Sequence, residues 1–166
     1  RPIAPVSRVE VAFGNGLAWS GNGYFDWNSG VVPLEDSFRR WDWSRASDRS
    51  GTTIFYDVSL ADGGDDSLAL RIAPDGSIRD IEPPALCALP RSPIWRVERG
   101  TRSDGGTGGG IRKTLEDAPF YARSLVTADV GGARVTAMHE SLSLDRFVLP
   151  VVQCMLPFRM PRRAAR

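Results

Sequence analysis

Glycine and proline interrupt this chain at short intervals, and these interruptions restrict its fold more than any other feature of the sequence. There are 17 glycines and 12 prolines among the 166 residues. Long stretches with apolar residues at helical spacing are hard to find between them, whereas short β-branched and aromatic segments recur. The sequence therefore predicts an all-β domain.

Two hairpins have the clearest strand patterns. Tyr121 to Val130 and Ala133 to Leu142 flank a Gly-Gly pair, a connection in which glycine supplies the positive φ angles of primed turns. Thr52 to Val58 and Ser67 to Ile72 flank an acidic, glycine-containing loop at 61–66. Further strands are predicted at Arg8 to Phe13, Tyr24 to Asp26 with its flanks, Ser77 to Ile81, Trp95 to Arg99 and Ile111 to Leu115.

About eight short antiparallel strands result from this pattern. A sheet of that size must bury one face and pair or cover its edge strands, so it closes into a barrel or folds into a sandwich. We expect the antiparallel β-barrel. The 42% hydrophobic content is enough for one globular core.

Composition argues against several classes of protein. Lys and Arg total 21 against 20 Asp and Glu, which gives no electrostatic reason to expect a nucleic-acid partner. One histidine and two widely separated cysteines cannot assemble a common metal site, so no metal is expected. The segment from Ser103 to Gly110 lacks the following helix and Lys-Ser/Thr pair of a phosphate cradle, and it predicts a loop. A reduced, cytosolic setting fits this cysteine usage, and the chain has no apolar run of spanning length and no signal-peptide pattern at its start.

Aromatic and acidic residues are densest between residues 23 and 45, where three of the five tryptophans lie. On a strand, Tyr24 and Asp26 project to one face and Phe25 to the other. One interpretation is a core closed by tryptophans with exposed acids beside them. The other is an aromatic-walled pocket with a carboxyl group at its end. The sequence leaves both open.

Other candidate groups have weaker patterns. His139 and Glu140 are neighbours on a strand and face opposite sides, so a structural histidine is the expectation. Tyr56-Asp57 comes late in a strand, where sheet edge and turn explain both residues. A Gly-x-Ser-x-Gly nucleophile elbow is absent from the sequence. The end of the chain, Val148 to Arg166, is apolar and basic and predicts either a membrane-surface element or a covering strand followed by a tail.

Several separated motifs resemble one enzyme family across nearly the whole chain. The motifs are Gly-Asn-Gly-Tyr-Phe-Asp (21–26), Pro-Leu-Glu-Asp-Ser-Phe-Arg-Arg-Trp-Asp-Trp-Ser-Arg (33–45), Lys-Thr-Leu-Glu-Asp-Ala-Pro-Phe-Tyr-Ala-Arg-Ser (113–124), His-Glu-Ser-Leu-Ser-Leu-Asp-Arg-Phe (139–147) and Met-Leu-Pro-Phe-Arg-Met-Pro-Arg-Arg (155–163). They resemble the acyclic carotenoid 1,2-hydratases, or hydroxyneurosporene synthases, of purple photosynthetic bacteria.

The resemblance implies a fold of two lipocalin-like β-domains, of which this chain is the second. Residues 1–18 would be interdomain linker and first strand, 19–150 the catalytic domain, and 151–166 an apolar and basic C-terminal segment. The implied partners are the missing N-terminal lipocalin-like domain and an acyclic carotenoid. A cytoplasmic location with peripheral contact to the inner or intracytoplasmic membrane follows from the same resemblance.

The resemblance also implies hydration of the terminal double bond of lycopene or neurosporene without a cofactor. Asp26 would be the catalytic acid and Tyr24 its partner, with Asp42 and Asp57 as the next acids to consider. The candidate substrate-binding residues are Trp27, Trp41, Trp43, Phe25, Tyr56 and His139. Where the family motif continues with an Asn-Trp-Gly-like segment, this chain has Asn28-Ser29-Gly30, and other family residues thought to assist catalysis precede Arg1.

The requirements of alkene hydration agree with the assignment of Asp26 as the acid. Alkene hydration requires a proton donor, a protected tertiary carbocation and then water. Apolar surroundings favour the protonated form of a carboxyl group, and electron-rich rings stabilise a cation. Two other classes stay open: a lipocalin-like module that only carries an isoprenoid or other lipid, and a β-sandwich interaction domain with an exposed aromatic patch.

Overall fold

The structure, a computed structural model, describes residues 2–159 of the chain and the side chains of residues 2–157. These residues form eleven strands and a few short helical segments. The strands are β1 (Pro2–Ala12), β2 (Ala18–Asp26), β3 (Phe38–Asp48), β4 (Gly51–Leu60), β5 (Asp65–Ile72), β6 (Ile78–Asp80), β7 (Leu86–Leu89), β8 (Arg99–Arg102), β9 (Gly110–Asp117), β10 (Tyr121–Val130) and β11 (Ala133–Ser143). The helices are α1 (Leu34–Ser37), α2 (Leu144–Phe147) and α3 (Pro150–Arg159), with a 3₁₀ turn at Asp104–Gly106.

Within residues 2–159 the strands make three antiparallel sheets. The largest has seven strands in the order β6-β5-β4-β3-β11-β10-β9, and β1-β2 and β7-β8 are separate pairs. In the described part of the chain, the outer strands β6 and β9 do not pair with each other, so this sheet is open. The all-β prediction is confirmed, whereas the expected barrel is not closed by hydrogen bonds between these strands.

Strand β3 gives the large sheet two chemically different faces. Asp42, Ser44 and Ala46 are buried on one side, while the alternate residues Trp41 and Trp43 face the other. Strand β8 covers the first side, since the amide of Gly100 approaches Asp42. We call these two sides the β8 face and the aromatic face.

Each face has its own small core. On the β8 face, Ala46, Leu89, Val126 and Ala137 pack together. On the aromatic face, Ile54, Leu70 and Ile72 form a cluster against which Tyr24, Trp43 and Tyr56 pack. Full burial of an isoleucine contributes about 1.5–3 kcal/mol, so the second cluster anchors the aromatic side chains to the centre of the sheet.

Most of the predicted strands are confirmed. The Gly131-Gly132 hairpin joins β10 to β11 with Val130 opposite Ala133, and both glycines have positive φ angles of 61° and 77°. The predicted hairpin from Thr52 to Ile72 is β4-β5, although β5 begins at Asp65, inside the segment expected as loop. The predicted strands near residues 8–13, 24–26, 77–81 and 111–115 correspond to β1, β2, β6 and β9.

The predicted strand from Trp95 to Arg99 is wrong except for its last residue, which begins β8. Arg96 has a φ of 55°, which is incompatible with an extended strand. The guanidinium of Arg146 donates to the carbonyls of Trp95 and Arg96 and holds this irregular backbone. Strands β3 and β7 were not predicted.

A covering strand after Val148, one of the two alternatives for the end of the chain, is also wrong, because residues 150–159 form helix α3. Pro150 opens the helix, where its missing N–H is not required. Val152 is buried, whereas Val151 is 65% exposed. Residues 160–166, including Arg162 and Arg163, lie outside the described part of the chain.

Candidate active site

Asp26, the last residue of β2, accepts two phenol hydrogen bonds on one carboxylate oxygen. The Tyr24 hydroxyl donates to Oδ2 at 3.1 Å, and the Tyr56 hydroxyl donates to the same atom. Tyr24 and Asp26 share a side of β2, as the alternation predicts. Tyr56 reaches them from β4, in the large sheet. The carboxyl group therefore lies where the β1-β2 hairpin meets the aromatic face.

Aromatic rings continue from this carboxyl group across β3 and β4. Trp43 pairs with Tyr56 in the strand register. Its ring centroid lies 5.7 Å from that of Tyr24 and 6.4 Å from that of Tyr56, and the Trp41 centroid lies 5.8 Å from that of Tyr56. We call Tyr24, Trp41, Trp43 and Tyr56 the aromatic wall.

The two tyrosines keep their hydroxyl protons over the physiological pH range. Burial raises the pKa of Tyr24 and the pKa of Tyr56, and the Asp26 carboxyl adds to both shifts. The Arg45 guanidinium lies 4.8 Å from the centre of the Tyr24 ring, a cation–π distance. Both phenols can therefore act as donors to Asp26.

Phe25 and Trp27 flank Asp26 along the chain but are more than half exposed, at 51% and 62%. Phe25 faces the side of β2 opposite to Tyr24 and Asp26. The structure thus separates Phe25 from the aromatic wall. A substrate contact by either residue stays a prediction.

His139 lies on the β8 face, away from the aromatic wall. It pairs with Ser44, whereas its neighbour Glu140 pairs with Trp43. The imidazole is 0% exposed, and its Nε2 lies 2.6 Å from the carbonyl oxygen of Gly100. Because a carbonyl only accepts, Nε2 carries the hydrogen. This position supports the structural histidine and not the substrate-binding role expected for His139.

Asp42 is the centre of a buried polar network on the same face. It is 7% exposed, pairs with Arg40 at 2.8 Å, and accepts hydrogen bonds from the Ser141 hydroxyl and the Gly100 amide. Burial raises the pKa of Asp42, and Arg40 opposes this shift. Burial lowers the pKa of His139, whose Nε2 lies 3.9 Å from Asp42. The sequence signal for this network was the alternation of Asp42 and Ser44 with tryptophans.

A cavity of about 660 Å³ borders this network where β7 and β8 approach β4 and β5. Several of its charged lining groups form ion pairs with one another. Arg102 donates to one Asp57 carboxylate oxygen from Nε at 2.9 Å and from Nη2 at 2.5 Å. Asp42 and Asp57 therefore both lie in polar surroundings, whereas Asp26 lies beside aromatic rings.

Known proteins are similar to this chain over nearly its whole length. The family profile described as carotenoid hydratase CrtC matches residues 1–166. The chain belongs to the carotenoid hydratase family. Named members are similar over nearly all of it: acyclic carotenoid 1,2-hydratases of Thiocapsa roseopersicina (55% identity over 97% of this chain), Rubrivivax gelatinosus (44% over 98%) and Rhodobacter capsulatus (43% over 99%).

These hydratases are longer than the chain. The matched region covers 40% of the first two relatives and 58% of the third, so the chain spans about half the length of these family members. No solved structure is significantly similar to it.

Residues 2–159 of this family member contain no group of three or more His, Cys, Asp or Glu side chains arranged to hold a metal ion. A helix long and apolar enough to cross a membrane was not found in the same region.

Proposed function

We propose that this chain is the acid-bearing part of a hydratase that adds water to the terminal double bond of an acyclic carotenoid. The observation that carries the proposal is the Asp26 carboxyl group, held by a phenol donor at the end of an aromatic wall. The names of the relatives support the reaction class and the substrate class.

Asp26 is the proton donor in this proposal. Its proton adds to the CH carbon of the terminal trisubstituted double bond, and the π electrons of that bond form the new C–H bond. The other alkene carbon becomes a tertiary cation. Water then forms a C–O bond to this cation and releases a proton, so that the sum is alkene plus water to tertiary alcohol.

The aromatic wall would stabilise the cationic intermediate. Trp41 and Trp43 present large electron-rich rings, and a cation over such a face gains about 0.5–2 kcal/mol. An apolar polyene is compatible with this wall, whereas the β8-face cavity is lined by ion pairs such as Arg40–Asp42 and Arg102–Asp57. Substrate contacts by Phe25 and Trp27 are proposed as well, outside the aromatic wall.

The remaining parts of the proposal concern the longer protein. A lipocalin-like domain at 19–150 would combine with the segment that precedes it in longer family members. The substrate is lycopene, neurosporene or a related linear carotene, which dissolves in membranes and not in water. Peripheral membrane contact is therefore proposed as well.

The test uses the full-length protein that contains this chain, incubated anaerobically with lycopene and analysed by chromatography for hydroxylated product. Asp26→Asn keeps the shape but removes the acid, so turnover should fall by at least about a hundredfold. Tyr24→Phe should lower turnover less, because it removes only one donor to the acid. Asp80→Asn, at an exposed aspartate on β6, is the matched control and should change neither turnover nor melting temperature.

Near-normal turnover by folded Asp26→Asn would contradict the proposal and leave Asp42 or Asp57 as the acid. Lycopene binding without hydration by the unaltered protein would instead favour a carrier.

A further inference from the structure

Two phenol groups converge on Oδ2 of Asp26, and among residues 2–159 no hydrogen bond reaches its Oδ1. We infer that Tyr56 is a positioning residue which, together with Tyr24, holds Oδ2 and leaves Oδ1 as the oxygen that carries and delivers the proton. This inference rests on the proposed hydration and deepens it, because it assigns separate tasks to the two carboxyl oxygens.

Tyr56 is held by the large sheet, on a different strand from Tyr24. It lies on β4 opposite Trp43, with the rings of Trp41 and Trp43 at 5.8 and 6.4 Å, and it packs against the buried cluster of the aromatic face. Tyr24 lies on β2 under the Arg45 guanidinium. Asp26 is therefore fixed from two strands that belong to different sheets.

Donors that meet at one oxygen have a defined effect on proton transfer. In the neutral acid, Oδ1 bears the hydrogen and Oδ2 is the carbonyl oxygen that accepts from both phenols. When the O–H bond at Oδ1 breaks and its proton joins the alkene, negative charge develops on the carboxylate and both phenol hydrogen bonds strengthen. The water that adds to the cation later returns a proton to Oδ1.

The inference predicts that Tyr56→Phe in the full-length protein lowers kcat by about tenfold, the rate equivalent of one charge-assisted hydrogen bond. KM should stay within about twofold, since Tyr56→Phe keeps the ring of the aromatic wall and removes only the hydroxyl that donates to Asp26. The loss of kcat at alkaline pH should move to higher pH, because a carboxylate with one donor fewer is less stabilised.

Tyr121→Phe is the matched control for this variant. It also removes a phenol hydroxyl from the aromatic face. That hydroxyl oxygen accepts a hydrogen bond from Nε of Arg123 at 2.9 Å instead of donating one to Asp26. Its pH profile should equal that of the unaltered protein. A Tyr56→Phe profile that also equals it would overturn the inference.

A second variant covers the case in which Tyr56→Phe does not fold. Incorporation of 3-fluorotyrosine at position 56 keeps the ring and makes the phenol a stronger donor, so the alkaline loss of kcat should move to lower pH. The fluorine resonance should also shift when Asp26→Asn is added, without any substrate. An unmoved resonance would overturn the Tyr56 contact, whereas a moved resonance with normal turnover by Asp26→Asn would keep the contact and remove the proposed acid.

Discussion

Three aspartates of this chain have three different surroundings. Asp26 accepts from two tyrosines beside aromatic rings, Asp42 is buried with Arg40 and Ser141, and Asp57 is paired with Arg102. Strand alternation was enough to put Tyr24 and Asp26 on one side. The second donor lies 30 residues after Asp26 on another strand, so no local pattern could have revealed its contact.

The single histidine should give the protein a pH-dependent stability. Burial lowers the pKa of His139 below its ordinary value of 6.5, against the opposing effect of Asp42; Arg99 and Arg40 lower it further. The unfolded chain therefore binds a proton more readily. Its contribution to stability is complete above the ordinary pKa and is lost as the pH falls through the lowered pKa of the folded state.

We accordingly expect the melting temperature to fall between about pH 8 and about pH 5, and to fall less in His139→Gln, which cannot titrate there. The raised pKa of Asp42 acts in the opposite direction, because its contribution grows as the pH falls. Thermal melts of both proteins across this range provide the measurement. Identical slopes would mean that His139 is not buried as a neutral group.

At the scale of elements, β3 explains why sequence prediction succeeded in some regions and failed in others. The hairpins β4-β5 and β10-β11 combine β-branched residues with turn residues, and both were predicted. In β3 the buried side includes Asp42 and Ser44, so its inward residues do not look apolar. The buried carboxyl group of Asp42 is accommodated because Ser141 and Gly100 donate hydrogen bonds to it from distant segments, and no local pattern predicts those partners.

The β10-β11 turn allows a direct test of backbone strain. Gly131 has a φ of 61° and open space around it, so only its conformation resists a side chain. Gly131→Ala should lower the free energy of unfolding by about 1 kcal/mol, and Gly131→Asn by less, because asparagine tolerates the left-handed region.

Urea denaturation of the two variants measures this difference. Gly14→Ala is the control, since Gly14 also has open space but no positive φ, and it should be close to neutral. If Gly131→Ala lowers the free energy of unfolding no more than Gly14→Ala does, the assigned turn is contradicted.

The whole molecule uses both faces of one sheet for different purposes. The β8 face buries a polar network under β7 and β8, while the aromatic face meets the β1-β2 hairpin through Tyr24 and Asp26. Helix α3 precedes the basic end of the chain in the sequence, and its residues Val151 and Met155 are exposed. An apolar helix followed by arginines favours contact with an anionic bilayer.

Reversal of charge at Arg162 and Arg163 to glutamate should therefore reduce flotation of the full-length protein with anionic liposomes. Each basic residue near such a surface contributes about 1 kcal/mol. The control reverses Arg49 and Arg79, two exposed arginines in the β3-β4 turn and on β6, with the same change in net charge. Equal flotation of both double variants would argue against a specific role of the chain end.

The pairing of β3 with β11 also determines the order in which the seven-stranded sheet can form during synthesis on the ribosome. Strands β3 to β6 follow one another and can pair as soon as they are synthesised, whereas Ser141 lies 99 residues after its partner Asp42. Until β11 emerges, the nascent chain presents β3 as an unpaired edge that bears Trp41 and Trp43. Unpaired apolar edges associate with other chains. The strand that places the tryptophans of the aromatic wall is thus an edge open to aggregation until β11 has been synthesised.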